Sequence, residues 1–203
     1  MNRNNGRILV WDLPTRAFHW LLALSFAGAY LTAESERLRD VHVTLGYTML
    51  GLVAFRLVWG VMGTRYARFA SFAYGPRQVL GYLKSLFTRS PQHYLGHNPA
   101  GSWAVYALLA LSVLAAAAGY ATYNDIGGHA MEEVHEALAN GLLALVMVHI
   151  AGVLASSLLH GENLVRSMIT GYKAGAAAAG IRYRHRIVGA MLVGSVAAFW
   201  MAR

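Results

Sequence analysis

The chain is written in long apolar blocks with short polar interruptions. The blocks cover residues 17–33, 41–62, 103–123 and about 134–160, and the third contains neither a charge nor a histidine. Each approaches the ~20 apolar residues that carry a helix across the hydrocarbon core, so each predicts a membrane-spanning helix. Small residues in "AYLTAES" look like a signal-peptide cleavage site, but further spans follow and His19 and Trp20 interrupt the start of the block, which favours an uncleaved first helix. A last apolar stretch, 187–202, is short for a span and predicts either a fifth helix or an interfacial tail.

The polar interruptions differ in charge. Segments 34–40 and 124–133 read as short, mainly acidic turns. The N-terminus with Arg3, Arg7 and Arg16, the long 63–101 connection with Arg65, Arg68, Arg77, Lys84 and Arg89, and the 161–186 segment carry nearly all the Lys and Arg. The positive-inside rule then puts the N-terminus in the cytoplasm and both acidic turns outside. Within the long connection, "PRQVLGYLKSLF" has helical spacing suited to lying along the membrane surface, and "GHNPAGS" reads as a break before the third span.

Composition agrees with this pattern. With 57% hydrophobic and 13% charged residues, the chain is too apolar for a soluble surface. Its formal charge of +8 is explained by loop topology, leaving no case for nucleic-acid binding. The absence of cysteine excludes disulfides, iron–sulfur clusters and covalent c-type haem attachment.

Histidine is where chemistry enters. Of nine, His93, His97 and His185 lie in basic segments and read as solvated, while His129 and His160 read as interfacial. His19, His42, His135 and His149 lie in or at the ends of spans, where ionisable groups are costly and suggest function. At ~1.5 Å per residue, His19 lies about 22 Å from the outer end of the first helix, and His149 about 21 Å below His135. His42 and His135 both open their helices at the outer face, so the four histidines form two depth-matched pairs. His160 would lie about 37 Å down, too deep to meet His19. The fourteen residues from His135 to His149 make about 3.9 turns, so one face of the fourth helix serves both levels. Two imidazoles from different helices, with no carboxylate or thiolate beside them, suit a six-coordinate haem iron. Zinc, which usually takes four ligands or three plus water, and plain hydrogen bonding to backbone are the competing readings.

Two further residues belong to this pattern. Gly46 sits one turn below His42, where a flat macrocycle would collide with any side chain. Arg56 lies fourteen residues beyond His42, near inner-pair depth. It reads either as a partner for a haem propionate or quinone oxygen, or as a cation snorkelling to the inner headgroups. Trp11, Trp20, Trp59 and Trp103 read as aromatic belts, and "LAAAAGYA" as a packing stripe.

"VWDLPTRAFHW", "VHVTLGYTMLGLVAFRLVWG" and "VHEALANGLLALVMVHI" resemble the prokaryotic cytochrome b561 family, and the opening motif is closer to its hydrogenase-linked cytochrome b branch than to superoxide oxidase. The similarity covers about 8–173, leaving 174–203 as a basic linker and apolar helix outside the common core. The resemblance implies an all-α integral membrane protein of the bacterial inner membrane. Its four-helix transmembrane bundle would hold two b-type haems, on His19 and His149 inside and on His42 and His135 outside. It also implies electron exchange between membrane quinone and an outer-side partner, such as a periplasmic c-type cytochrome or a redox enzyme subunit. An electron-transfer subunit is the first reading. A stand-alone superoxide oxidase is the alternative, though acidic neighbours weaken the cationic funnel that Arg37 and Arg39 could supply. A non-haem metal-binding membrane protein is the alternative of another class.

Overall fold

Two proline-led caps set where the main helices begin. The chain, described here by a computed structural model over residues 6–88 and 90–203, enters helix α1 (Leu13–Thr32) through Asp12, whose Oδ1 accepts from the backbone N–H of Thr15 at 2.8 Å. Arg3 and Arg89, both counted in the predicted orientation, lie outside the described residues. Asn98 caps α4 (Pro99–Tyr123) in the same way, accepting from Gly101 N–H at 2.7 Å. Proline is tolerated in a first helical turn because its missing N–H has no partner there in any case. The expected break at "GHNPAGS" is therefore a helix start, and α4 begins four residues before Trp103.

The remaining helices are α2 (Arg39–Met62), α3 (Pro76–Ser85), α5 (Gly128–His160), α6 (Leu164–Thr170) and α7 (Arg186–Met201). The acidic turn expected at 124–133 closes within 124–127. Gly127, at φ +86°, lets the chain reverse into α5 almost at once, so His129 rides an exposed first turn.

Three helical stretches are long and apolar enough to cross a membrane: 36–62, 99–123 and 128–160. The surface pattern suits lipid as well. Leu31, Val61, Val148 and Leu158 face outward, while Thr44, Thr48, Ser102 and Ser112 lie inside. Each of these buried hydroxyls donates to a carbonyl three or four residues back in its own helix, so none is left unsatisfied.

Packing divides the bundle into two antiparallel hairpins. α1 lies along α2 and α4 along α5, with α2 joining the halves against α4. α5 makes no extensive contact with α1 or α2. It reaches them mainly at mid-height, where Leu142 packs in a cluster with Ala29 and Met49, and where Tyr30 donates to Asn140 Oδ1 at 3.0 Å. Above and below that plug α5 is sparsely covered, and most of its apolar window is exposed. α7 lies against α1 and reaches α2 through Trp200 Nε1–H donating to Thr48 Oγ1 at 3.1 Å.

The basic loops fold into a cap over one end. Strand β1 (Gly6–Leu9) pairs antiparallel with β2 (Tyr172–Gly175), Gly6 opposite Gly175 and Leu9 opposite Tyr172. Nothing in the hydropathy pattern anticipated this ribbon. Beneath it Asp12 is fully buried, accepting from Trp59 Nε1–H at 3.1 Å and Thr64 Oγ1–H at 2.6 Å. Trp11 and Trp59 are thus core residues of the cap rather than members of an aromatic belt.

Candidate functional site

The four span histidines meet where α5 faces α1 and α2. α1 and α5 bring His19 and His149 together at the end under the basic cap, with ring centres 6.5 Å apart. α2 and α5 bring His42 and His135 together at the acidic end, with ring centres 6.1 Å apart. The two pairs occupy opposite sides of the Leu142 plug, about 21 Å apart along α5.

The acidic-end pair is oriented by backbone. His42 Nδ1–H donates to Ala29 C=O at 2.9 Å, and His135 Nδ1–H donates to Ala115 C=O at 2.9 Å. A carbonyl can only accept, so each Nδ1 carries a proton, and in the neutral imidazole this leaves the Nε2 lone pair for another partner. Gly119 makes room for this arrangement, since a Cβ there would stand 2.8 Å from His135 Cε1. The glycine of the alanine-rich stripe thus serves the histidine as well as helix packing. A Cβ on Gly46 would meet nothing within 4 Å, leaving open space on α2 one turn beyond His42.

The basic-end pair has a different setting. His19 Nδ1 is buried without a hydrogen-bond partner, as are Arg56 Nη1 and His97 Nδ1. Arg56 is 2% exposed, so it is not snorkelling to headgroups. Its guanidinium lies over the Phe69 ring at 4.6 Å, with Asp12 and Tyr106 nearby.

His97 is the residue that sequence reasoning misplaced. Expected in solvent, it is clamped between Trp11 and Phe72, with ring centres at 4.9 and 4.3 Å, and faces Arg56, His149 and His19. Burial first, then those neighbours and Lys173, push its pKa down to about 3, so it is neutral at physiological pH. The signal was local. Asn98 as cap and Pro99 in the first turn fix the direction from which the chain enters α4, which turns the residue before the cap inward. A Cβ on Gly96 would stand 2.7 Å from Tyr66 Cδ1, so this loop also needs its glycine.

A second polar cluster closes the same end. Glu162 accepts from Lys173 Nζ at 2.8 Å and pairs with His93 Nε2 at 2.8 Å. His160 reaches Gln92 C=O and Ser156 C=O, away from both histidine pairs, as its depth predicted. Burial acts to raise the Glu162 pKa, but the hydrogen bond and charge of Lys173, with His93, outweigh it and hold it below the usual carboxylate range. His185 lies exposed in the 161–186 segment, edge-on to Trp59 at 5.3 Å.

Two imidazoles on opposite sides of one metal, each nitrogen about 2.0 Å from it, place their ring centres roughly 6 Å apart. Both pairs have that spacing. Among the described residues, no group of three or more His, Asp or Glu side chains could hold a metal ion. The pairs therefore fit a metal that brings its own remaining ligands, as in a macrocycle, better than a bare ion.

The model of the family described as prokaryotic cytochrome b561 matches residues 10–171. The chain belongs to this family. Membership makes it a membrane b-type cytochrome of electron transfer. The match spans the whole two-hairpin arrangement and all four span histidines, and ends just before β2.

Among curated relatives, the chain is 24% identical to a probable Ni/Fe-hydrogenase B-type cytochrome subunit of Azotobacter vinelandii, covering 84% of this chain and 90% of that protein. It is 23% identical to the corresponding subunit of Rhizobium leguminosarum bv. viciae, over 81% and 87%. The probable Ni/Fe-hydrogenase 1 B-type cytochrome subunit of Escherichia coli K12 is 22% identical, over 81% and 89%. No solved structure matches the chain.

Proposed function

We propose that this cytochrome is a di-haem electron-transfer subunit of the bacterial inner membrane. It links the quinone pool to an outer-side redox partner, either a hydrogenase-like enzyme or a c-type cytochrome. The observation that carries the reading is the meeting of two histidine pairs from different helices, with ring centres 6.5 and 6.1 Å apart. His19 and His149 hold the inner haem, and His42 and His135 the outer one. A bound haem supplies one-electron chemistry at its iron. The chain supplies the rest. The carbonyls of Ala29 and Ala115 aim the outer imidazoles, Gly119 and Gly46 leave space beside them, and Leu142 separates the two levels. Arg56 provides a buried cation next to His97 on the cap side of this site.

In this reading α1, α2, α4 and α5 form the transmembrane four-helix bundle within residues 1–173. The N-terminus and basic cap face the cytoplasm, and residues 174–203 form an appended segment whose helix lies against α1. The curated relatives' hydrogenase names support the choice of partner, and family membership supports the cofactor type.

A reduced-minus-oxidised spectrum with haem quantification on the purified chain tests the reading. Two b-type haems per chain, reducible by a quinol, are expected. Folded chain produced with haem available but containing none would end it.

A further inference from the structure

Buried side-chain atoms without partners are concentrated at one end of this molecule. Among the described residues there are five, on Thr15, Arg16, His19, Arg56 and His97, and all lie under the basic cap. Thr15 and Arg16 lie in the first turn of α1 and are anchored through other atoms, the Thr15 backbone N–H to Asp12 and Arg16 Nη1 to Ile169 C=O, so their orphan Oγ1 and Nε do not belong to otherwise unheld side chains. His19 belongs to the inner pair. Arg56 and His97 remain.

These two come from distant parts of the chain and converge on one aromatic group. Phe69 lies under Arg56, and Phe72 packs on His97. Tyr106 packs on both phenylalanines, at 5.7 and 5.5 Å. Asp12 is the nearby carboxylate, but its oxygens are taken by Thr15, Trp59 and Thr64, and among the described residues it forms no ion pair with Arg56. A buried guanidinium with an unpartnered Nη1 and no carboxylate in contact is unfavourable, so this end of the fold has room for an acceptor that the protein itself does not supply.

Resting on the reading above, we propose that Arg56 and His97 form a carboxylate-binding pair that anchors the propionates of the inner haem. Arg56 supplies the charge and His97 a neutral N–H donor. The carboxylate follows from the chemistry. A quinone oxygen is uncharged and would leave the guanidinium unpaired, whereas a carboxylate satisfies both donors with charge-assisted hydrogen bonds. The aromatic clamp fixes His97 in place before any ligand arrives, so little ordering entropy opposes binding.

The test compares haem with haem dimethyl ester, which keeps the iron and macrocycle but lacks the carboxylates. Full-length chain produced without haem is titrated with each, using the His135→Ala background to isolate the inner site and His149→Ala to isolate the outer. The inner site should prefer haem over the ester by at least about tenfold. Arg56→Gln should remove most of that preference and His97→Phe a part of it, while neither alters the outer site. The ester comparison in chains with Arg56 and His97 intact needs neither substitution at those positions, so it stands even if those variants fold poorly. Equal inner-site affinity for haem and ester would overturn the proposal while leaving the di-haem reading intact. Full preference retained in both variants would also overturn it. Failure to bind either compound at any site would end the reading and the proposal together.

Discussion

The two histidine pairs have nearly the same ring separation but opposite surroundings. At the acidic end, each imidazole is aimed by a backbone carbonyl, and no buried polar side-chain atom among the described residues is left without a partner. At the basic end, His19 Nδ1 has no partner, and a buried cation and a buried imidazole share that condition. The outer pair is pre-organised by helix backbone alone. The basic-end pair also stands on two helices, but the cap over it leaves buried polar atoms without protein partners. A helix hairpin fixes its side chains through short-range geometry. A cap built from residues more than 100 positions apart can surround a larger and more polar group.

The largest expected effect separates the ends completely. His149→Ala should reduce haem from two per chain to one, with the outer haem's spectrum retained; His135→Ala should do the reverse. Simultaneous loss of both haems in either variant would show that the levels fold as one unit and would erase the contrast.

Gly119→Val should weaken the outer haem selectively. Its first added carbon already stands 2.8 Å from the His135 ring, so the ring must leave its bond to Ala115. Overpacking of this kind costs about 1–3 kcal/mol, and haem loss in a competition with apo-myoglobin should be faster from the outer site alone.

Lys173→Met bears on the cap. It leaves Glu162, only partly exposed, with His93 alone, and should lower thermal stability by about 1–3 kcal/mol. The pH dependence follows from the lowered Glu162 pKa. Its stabilising contribution is present above the usual carboxylate pKa and is lost as pH falls through the lower, folded-state value. Acid should therefore loosen β2 and α6 before the acidic-end turn, as read by amide hydrogen exchange at stepped pH. Glu162→Gln should flatten that response.

The smallest effect is expected from Thr64→Val, which removes one of the donors to Asp12. A loss of about 1 kcal/mol in thermal stability is expected, with both haems retained. Loss of one haem would mean that Asp12 positions Arg56 despite forming no ion pair with it among the described residues.

The sequence by itself determined what short-range physics controls. Apolar block length predicted the helices, and the 1.5 Å rise placed His19 with His149 and His42 with His135 before any contact was known. That inference works because a membrane holds helices nearly parallel, so depth along the chain becomes depth in space. The motif resemblance added the family. The caps at Asp12 and Asn98 are legible in Asp-Leu-Pro and Asn-Pro, although hydropathy alone reads "GHNPAGS" as a break.

Only the tertiary structure decided which loop residues reach the inner site. His97 and the β1–β2 ribbon depend on how the 63–98 connection, residues 6–9 and residues 172–175 come together over one end. No periodicity encodes that, because the partners are separated by long stretches of sequence and the side chains share no helical face. The sparse packing of α5 against α1 and α2 is likewise a property of the helices together, and no single helix carries its signature.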